Sequence, residues 1–277
     1  MPALYTKENK MNYWRDCGLE FEFTNNELFN KRTALIILKE CKFPISSDSK
    51  DFLSWVIKND ESCGIEITTP IIESEKQFSD IRKLTDKLNS DFREQEIINN
   101  RCGLHVHIDV SDYKNMQCIR NLANIISILE KPVIYKMIKK NRIRNKYCKS
   151  TNFSKKLNGF GKNISKFKKN VELKFDRNRG LNLRSLQKFG TVEFRYHHAT
   201  IDFKEIWNWI YFLQTVVDFA SYPGAERKIN FIKKYNLGIK HILYFLIELE
   251  KENINYILNK KHEDLNDHVW NFLPEKK

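Results

Sequence analysis

The chain has 277 residues with 41% hydrophobic and 13% aromatic content, which excludes a disordered protein and allows one large domain or a domain with a helical appendage. Nine glycines and six prolines exclude a collagen-like or linker-rich chain. The net charge of +13 is local: residues 131–171 hold 14 of the 48 Lys and Arg and none of the 35 Asp and Glu, which leaves 34 basic against 35 acidic residues elsewhere.

Residues 17–24 (CGLEFEFT) alternate apolar and acidic positions and predict a strand. A helix follows over 27–40. Residues 52–58 (FLSWVIK) predict a strand, a turn lies at 59–62, and 63–69 (CGIEITT) alternate again, so the two strands form a hairpin. Apolar positions 78, 81, 84 and 88 predict a helix over 74–90 that Ser74 caps. Residues 102–110 (CGLHVHIDV) are the cleanest alternating strand. A helix covers 115–130, and Pro132 opens a second one. The basic block follows with little periodicity. Residues 179–187 and 190–197 predict two strands joined near Gly190, and helices cover 203–220 and roughly 226–260. Hairpin-like pairs separated by helices predict an α+β fold with a mainly antiparallel sheet.

No apolar run approaches the roughly 20 residues that cross a bilayer, and the N-terminal residues lack the apolar centre of a secretory signal. The cysteines at 17, 41, 63, 102, 118 and 148 form no CxxC pair and no zinc-finger spacing. Reduced thiols in a cytoplasmic protein are expected. The basic block points either to a polyanion, nucleic acid or nucleotide phosphates, or to a solvated Lys-rich loop.

Strand alternation sorts side chains by face. Leu19, Phe21 and Phe23 oppose Glu20 and Glu22. Ile65 and Ile67 oppose Glu66 and Thr68. Val106, Ile108 and Val110 oppose His105, His107 and Asp109. Val192, Phe194 and Tyr196 oppose Glu193, Arg195 and His197. Four strands therefore repeat an apolar face backed by carboxylates and imidazoles, with no Lys among them. So many carboxylates together repel unless they are protonated or bound to cations. Carboxylate with imidazole suits Mg²⁺ or Mn²⁺. There is no GxxxxGK[ST] loop, no HExxH and no nucleophile elbow. The GxG at Gly159 and Gly161 is read as a plain loop.

The ordered set Gly18-Leu19-Glu20-Phe21-Glu22, Trp55 to Asp60 with Ser62, Gly64, Glu66, Thr69 and Pro70, Cys102-Gly103-Leu104-His105-Val106-His107, Leu181-Asn182, and Gly190-Thr191-Val192-Glu193-Phe194-Arg195 with Thr200 and Asp202 resembles the amidoligase family. That family is similar to glutamine synthetase and glutamate–cysteine ligase. The resemblance covers about 17–220 and implies an α+β catalytic domain there, with a curved, mainly antiparallel sheet, helices on one face and a basic insert at 131–171. Residues 1–16 are then an N-terminal extension and 221–277 a helical C-terminal one.

The activity implied is an ATP-dependent carboxylate–amine ligase acting through an acyl phosphate, with Mg²⁺ or Mn²⁺. Its partners would be a carboxylate substrate and an amine donor: an amino acid, a peptide or a protein. Under the resemblance Glu22 and Glu66 hold the ion nearer the acceptor, and Glu20, His105 and Glu193 hold the ion at the ATP phosphates. Arg195 stabilises charge on the transferring group. His107 contacts phosphate or orients a ligand, and Glu66 counts with Arg195 and His107 as catalytic. Arg177, Arg179 and Asn182 are candidate nucleotide or substrate contacts. Arg142 and Arg144 are candidate phosphate contacts, although a spacing of two points them apart on a helix. Asp60 is an extra ligand or a turn cap, and Asp109 an extra ligand or a support for His107. A metal-dependent peptide or amide hydrolase, and a nucleic-acid-binding protein using the basic block, are the alternatives.

Overall fold

The structure, a computed structural model, describes residues 14–234 apart from 75–76, 144, 152, 154–156, 158 and 161. Strand β1 (Cys17–Thr24) runs through its centre and pairs antiparallel on both sides, with β4 (Gly64–Thr68) and with β5 (Gly103–Asp109). The expected hairpin joins β4 to β3 (Trp55–Asp60). Its first strand begins at Trp55 rather than at 52 and runs on through Asp60, so the turn starts later than expected. Asp60 caps that turn: its Oδ1 accepts from the amides of Ser62 (2.6 Å) and Cys63 (3.1 Å). Gly64 takes φ +135°, where a Cβ would meet the Asn25 amide nitrogen at 2.4 Å, so only glycine fits the exit.

Beyond β5 lies β7 (Thr191–His198), antiparallel, and then β6 (Leu181–Asn182). On the other side β2 (Ile45–Ser46) lies parallel to β3. The order is β2-β3-β4-β1-β5-β7-β6 in one seven-stranded, mostly antiparallel sheet. The sheet is uncurled, where the resemblance implied a curved one. Its edge strands have two residues each, too short to carry it round.

Helices α1 (Lys31–Glu40), α2 (Phe78–Asp91), α3 (Glu94–Ile97) and α4 (Met116–Leu129) separate the early strands. In the second half come α5 (Ile164–Lys174), α6 (Phe203–Ser221) and α7 (Ala225–Lys234). The apolar stripes of α2 (Ile81, Leu84, Leu88), α4 (Ile119, Leu122, Ile126) and α6 (Ile210, Leu213, Val217) join Leu19, Phe21, Ile67, Leu104, Val106 and Phe194 of the sheet in one buried core. Each such side chain contributes about 1.5–3 kcal/mol by leaving water, and this anchors the strands that carry the polar face.

Several boundaries differ from expectation for local reasons. Helix α1 starts at 31 because the Asn30 side chain accepts from the amides of Arg32 and Thr33. The described helix starts at Phe78 with Gln77 at its cap position; the Gln77 side-chain Oε1 accepts from the amides of Glu73 and Ser74, and the Gln77 amide donates to the Ser74 carbonyl. Pro132 opens no new helix but sits in a widened π-type turn, Glu130–Ile134, that continues α4. The strand expected over 179–187 is only Leu181–Asn182, followed by one helical turn, Ser185–Lys188. The weak periodicity of the basic block hid α5, whose Phe167 and Val171 are fully buried. Of the helix expected over 226–260, the part beyond 234 lies outside the described residues, as do residues 1–13. No helix among the described residues is long and apolar enough to cross a membrane.

Candidate active site

Strand register turns the sequence alternation into a continuous polar row. Glu20 stands opposite Thr68 on one neighbour and His105 on the other. Glu22 stands opposite Glu66, His107 opposite Glu193, and Glu193 opposite Asn182. Apart from Thr68, these side chains line one cavity of about 520 Å³, together with Asp60, Arg177 and Arg195.

Contacts within the row are dense. His105 Nδ1 is 3.1 Å from Glu20 Oε2, and its Nε2 is 3.4 Å from Glu22 Oε1. His107 Nε2 is 3.3 Å from Glu20 Oε1, while its Nδ1 pairs with Thr191 Oγ1 at 3.1 Å. Arg195 donates to Glu193, whose other oxygen accepts from Asn182 Nδ2 at 2.6 Å. Glu22 accepts from the Gly103 amide at 2.6 Å. Glu66 accepts from Lys58 Nζ at 3.1 Å and from Thr68 Oγ1 at 3.2 Å.

Burial works against every charge on this face, and the neighbours decide the outcome. Burial alone would raise the Glu20 carboxyl, but His107 and His105 bring it well below its ordinary range. Glu193 is likewise opposed by burial and brought low by Arg195 and His107. Burial would lower His107, yet the charges of Glu20, Glu193 and Glu66 raise it. Glu66 has no such compensation: burial and the charge of Glu20 push it up to about 7 despite Lys58. The row holds four carboxylates, Glu20, Glu22, Glu66 and Glu193, and Asp60 and Glu172 add two more to the cavity.

A divalent cation fits this donor set. Glu20, His105 and Glu193 each offer a ligand atom within 4.8 Å of the others, and carboxylate with imidazole suits Mg²⁺ or Mn²⁺. Among the described residues two further triples meet the same distance, Glu22 with Asp60 and Cys63, and His197 with His198 and Glu205.

Of the residues expected at the site, Glu20, Glu22, Glu66, His105, His107, Asn182, Glu193, Arg195 and Arg177 come together. Others do not. Arg142 is 1% exposed and donates to the carbonyls of Arg195 (2.8 Å) and Arg101 (3.4 Å), so its guanidinium is spent on the backbone, and it does not line the cavity. Arg179 donates to the Ser150 carbonyl at 2.5 Å and lies over the Phe153 ring, away from the cavity. Arg144 lies outside the described residues. Asp109 accepts from Ser111 and closes a turn, and His107 takes its support from Thr191 instead.

His197 leaves the polar face because β7 shifts register between Leu104 and Val106 of its partner. The shift sets His197 opposite Leu104, where it packs on Trp209.

The sequence reading missed the far wall of the cavity: Glu172, Arg184, Ser185, Gln187, Lys188 and Phe189. Half of them come from the helical turn at 185–188, most of which was expected to be strand. The one available signal was the spacing of four between Arg184 and Lys188, which places both on one side of a helix. This part of the lining carries three cations, Arg177, Arg184 and Lys188, and one carboxylate, Glu172, which accepts from Arg184 at 2.8 Å.

A family model described as "putative amidoligase enzyme" matches residues 14–217. No curated protein matches the chain.

Proposed function

The chain belongs to the amidoligase family, and from that membership we propose that it is an ATP- and divalent-metal-dependent carboxylate–amine ligase on a glutamine synthetase-like fold. The observation that carries this is one cavity lined by both a metal-ligand triple and a group of cations. The metal-ligand triple, Glu20, His105 and Glu193, bears Arg195 on its last member, and Arg177, Arg184 and Lys188 line the same cavity. Such a pairing suits an acid, a cation and a polyphosphate meeting in one place.

In the reaction a carboxylate oxygen attacks the γ-phosphorus of ATP, and the bond to ADP breaks. An amine nitrogen then attacks the acyl-phosphate carbon, phosphate leaves, and the nitrogen loses a proton as the amide forms. Glu20, His105 and Glu193 would hold one cation at the phosphates, and Glu22 and Glu66 a second nearer the acceptor. Bound there, Mg²⁺ or Mn²⁺ supplies positive charge to the phosphoryl oxygens.

Around those positions the chain's own groups divide the work. Arg195 is held by Glu193 and presents its guanidinium to the charge that develops on the transferred group. Asn182 fixes the second oxygen of Glu193, which keeps that carboxylate oriented for a cation. Thr191 fixes His107 from behind and leaves Nε2 facing the cavity. Arg177, Arg184 and Lys188 bind and align the phosphates. The six thiols are all free, which suits a reducing compartment such as the cytoplasm.

Two observations weigh against the alternatives. Hydrolysis of an amide has no use for the cationic wall. Base stacking on nucleic acid needs exposed rings, whereas Phe160, Phe167 and Phe175 of the basic region pack on one another. The test is phosphate release from ATP by the purified chain with Mg²⁺, with and without a panel of amino acids and peptides. We expect release only with a suitable acid, and hydroxylamine should trap the activated acid as a hydroxamate. Folded, metal-loaded protein that never binds ATP would contradict the proposal.

A further inference from the structure

Seven large apolar side chains are exposed among the described residues; Phe189 (41%) is at the cavity, and Phe52 (47%), its chain neighbour Leu53 (81%) and Ile71 (39%) connect to it through Phe52. Phe189 lines the cavity itself, with its ring edge-on to His107 at 5.9 Å. Phe52 stacks edge-on to Phe189 at 5.9 Å. The Ile71 amide donates to the Phe52 carbonyl at 2.8 Å, which brings the two backbones together, and the Leu53 amide donates to Asp51 Oδ1 at 2.8 Å. An apolar lip of this kind at the edge of a polar, ligand-sized cavity marks a place where an apolar group docks.

The lip is chemically unlike the wall that would take phosphates. That wall is cationic, through Arg177, Arg184 and Lys188, whereas Phe52, Leu53 and Ile71 carry no charge. We infer that the lip receives apolar side chains of a peptide substrate, two to four residues along its chain from the group that reacts. The distance carries the spacing. Two ring contacts of 5.9 Å lead outward from His107 to Phe52, about 12 Å at most, and an extended peptide covers about 3.3–3.6 Å per residue. A free amino acid is shorter than that span. A second copy of the chain fits less well, because a stable interface buries about 800 Å² on each partner and this patch is four side chains beside a charged cavity. The name of the reacting group rests on the ligase proposal; the docking itself does not.

The test uses the full chain and its Phe52→Ser/Leu53→Ser double variant, since neither residue lines the cavity and both are exposed. The probes are two fluorescein-labelled pentapeptides, Ser-Glu-Ser-Leu-Phe and Ser-Glu-Ser-Ser-Ser, followed by anisotropy without nucleotide. We expect the unaltered chain to prefer the Leu-Phe peptide by about tenfold or more, and the double variant to lose that preference with an unchanged melting temperature. The KM for ATP should stay the same in both.

Equal binding of the two peptides by the unaltered chain overturns the inference, whatever the variant does. So does a preference that survives the double substitution. A variant that raises the KM for ATP with peptide binding untouched assigns the lip to the nucleotide base and overturns it. A change from dimer to monomer with peptide binding untouched overturns it in favour of self-association. Absence of ATP turnover alongside an intact peptide preference overturns the ligase proposal and leaves the docking site standing.

Discussion

Glu20→Gln removes ATP turnover and weakens divalent-cation binding by about a hundredfold or more, with a smaller loss of folding stability than the matching change at Glu193. Glutamine keeps the shape and the hydrogen-bonding length but takes away the charge. Glu20 is the member of the ligand triple whose side chain is partly open, at 20% exposure, and its contacts on this face are His105 and His107. Glu193→Gln should remove turnover as well, but with a different stability signature. Its carboxylate is the charge partner of a buried arginine, Arg195. Leaving that guanidinium unpaired costs about 3–5 kcal/mol, so this variant melts far lower while Glu20→Gln does not. Titration calorimetry with Mn²⁺ and thermal melts of the two variants check both halves. Equal melting of the two would contradict the pairing of Arg195 with Glu193.

The Glu20 substitution also has a pH signature in metal-free protein. The Glu20 carboxyl is held below its ordinary value of 4.5, so its contribution to stability is present above about that pH and fades as the pH falls further. His107 is held above its ordinary 6.5, so its contribution is complete below that pH and fades as the pH rises through the elevated value. The stability advantage of the unaltered chain over Glu20→Gln is therefore greatest between about pH 4.5 and 6.5.

Gly180→Ala should be the most disruptive single methyl in the sheet. A Cβ there would lie 2.0 Å from the ring of Tyr196. The ring has no freedom to move: it is fully buried, and its hydroxyl pairs with Thr151 Oγ1 at 2.7 Å and donates to Glu130 at 2.6 Å. The same glycine carries the backbone bonds that hold this edge, with its amide on the Lys149 carbonyl and its carbonyl receiving the Arg195 amide, both at 2.8 Å. Shifting Tyr196 breaks a satisfied buried network, so a loss of about 3 kcal/mol or more is expected. That corresponds to about 6–12 °C in melting temperature for a domain of this size. Asn182 lies two residues on, so the variant should also weaken cation binding through the Glu193 it orients. A melting point within about 2 °C of the unaltered chain would contradict the packing around Tyr196.

The polar face was legible because a strand repeats every two residues. GLEFE, GIEIT, GLHVH and GTVEF each put their carboxylates and imidazoles on one side, and hydrogen-bonded register did the rest by setting Glu20 beside His105 and Glu22 beside Glu66. Three features could not be read this way. One is the register shift in β7, which sends His197 to the apolar side: local alternation continues through it, and only pairing with β5 reveals it. Burial of Arg142 is a second, since it depends on Gly103 at a distant place in the chain, where a Cβ would meet the guanidinium at 2.6 Å. In sequence Arg142 is one more charge in a basic block. The third is the helical turn at 185–188, four residues too short to show a period, which turns Arg184 and Lys188 into the cationic wall. Features local to one strand were visible, and those made by two distant segments were not.

The most direct test of the central claim is diffraction from crystals soaked with Mn²⁺ and a non-hydrolysable ATP analogue, using the anomalous signal of the metal. The account predicts a manganese peak bonded to Glu20, His105 and Glu193, with the analogue's phosphates between it and Arg177, Arg184 and Lys188. Nucleotide bound elsewhere, with no metal at those three side chains, would contradict it.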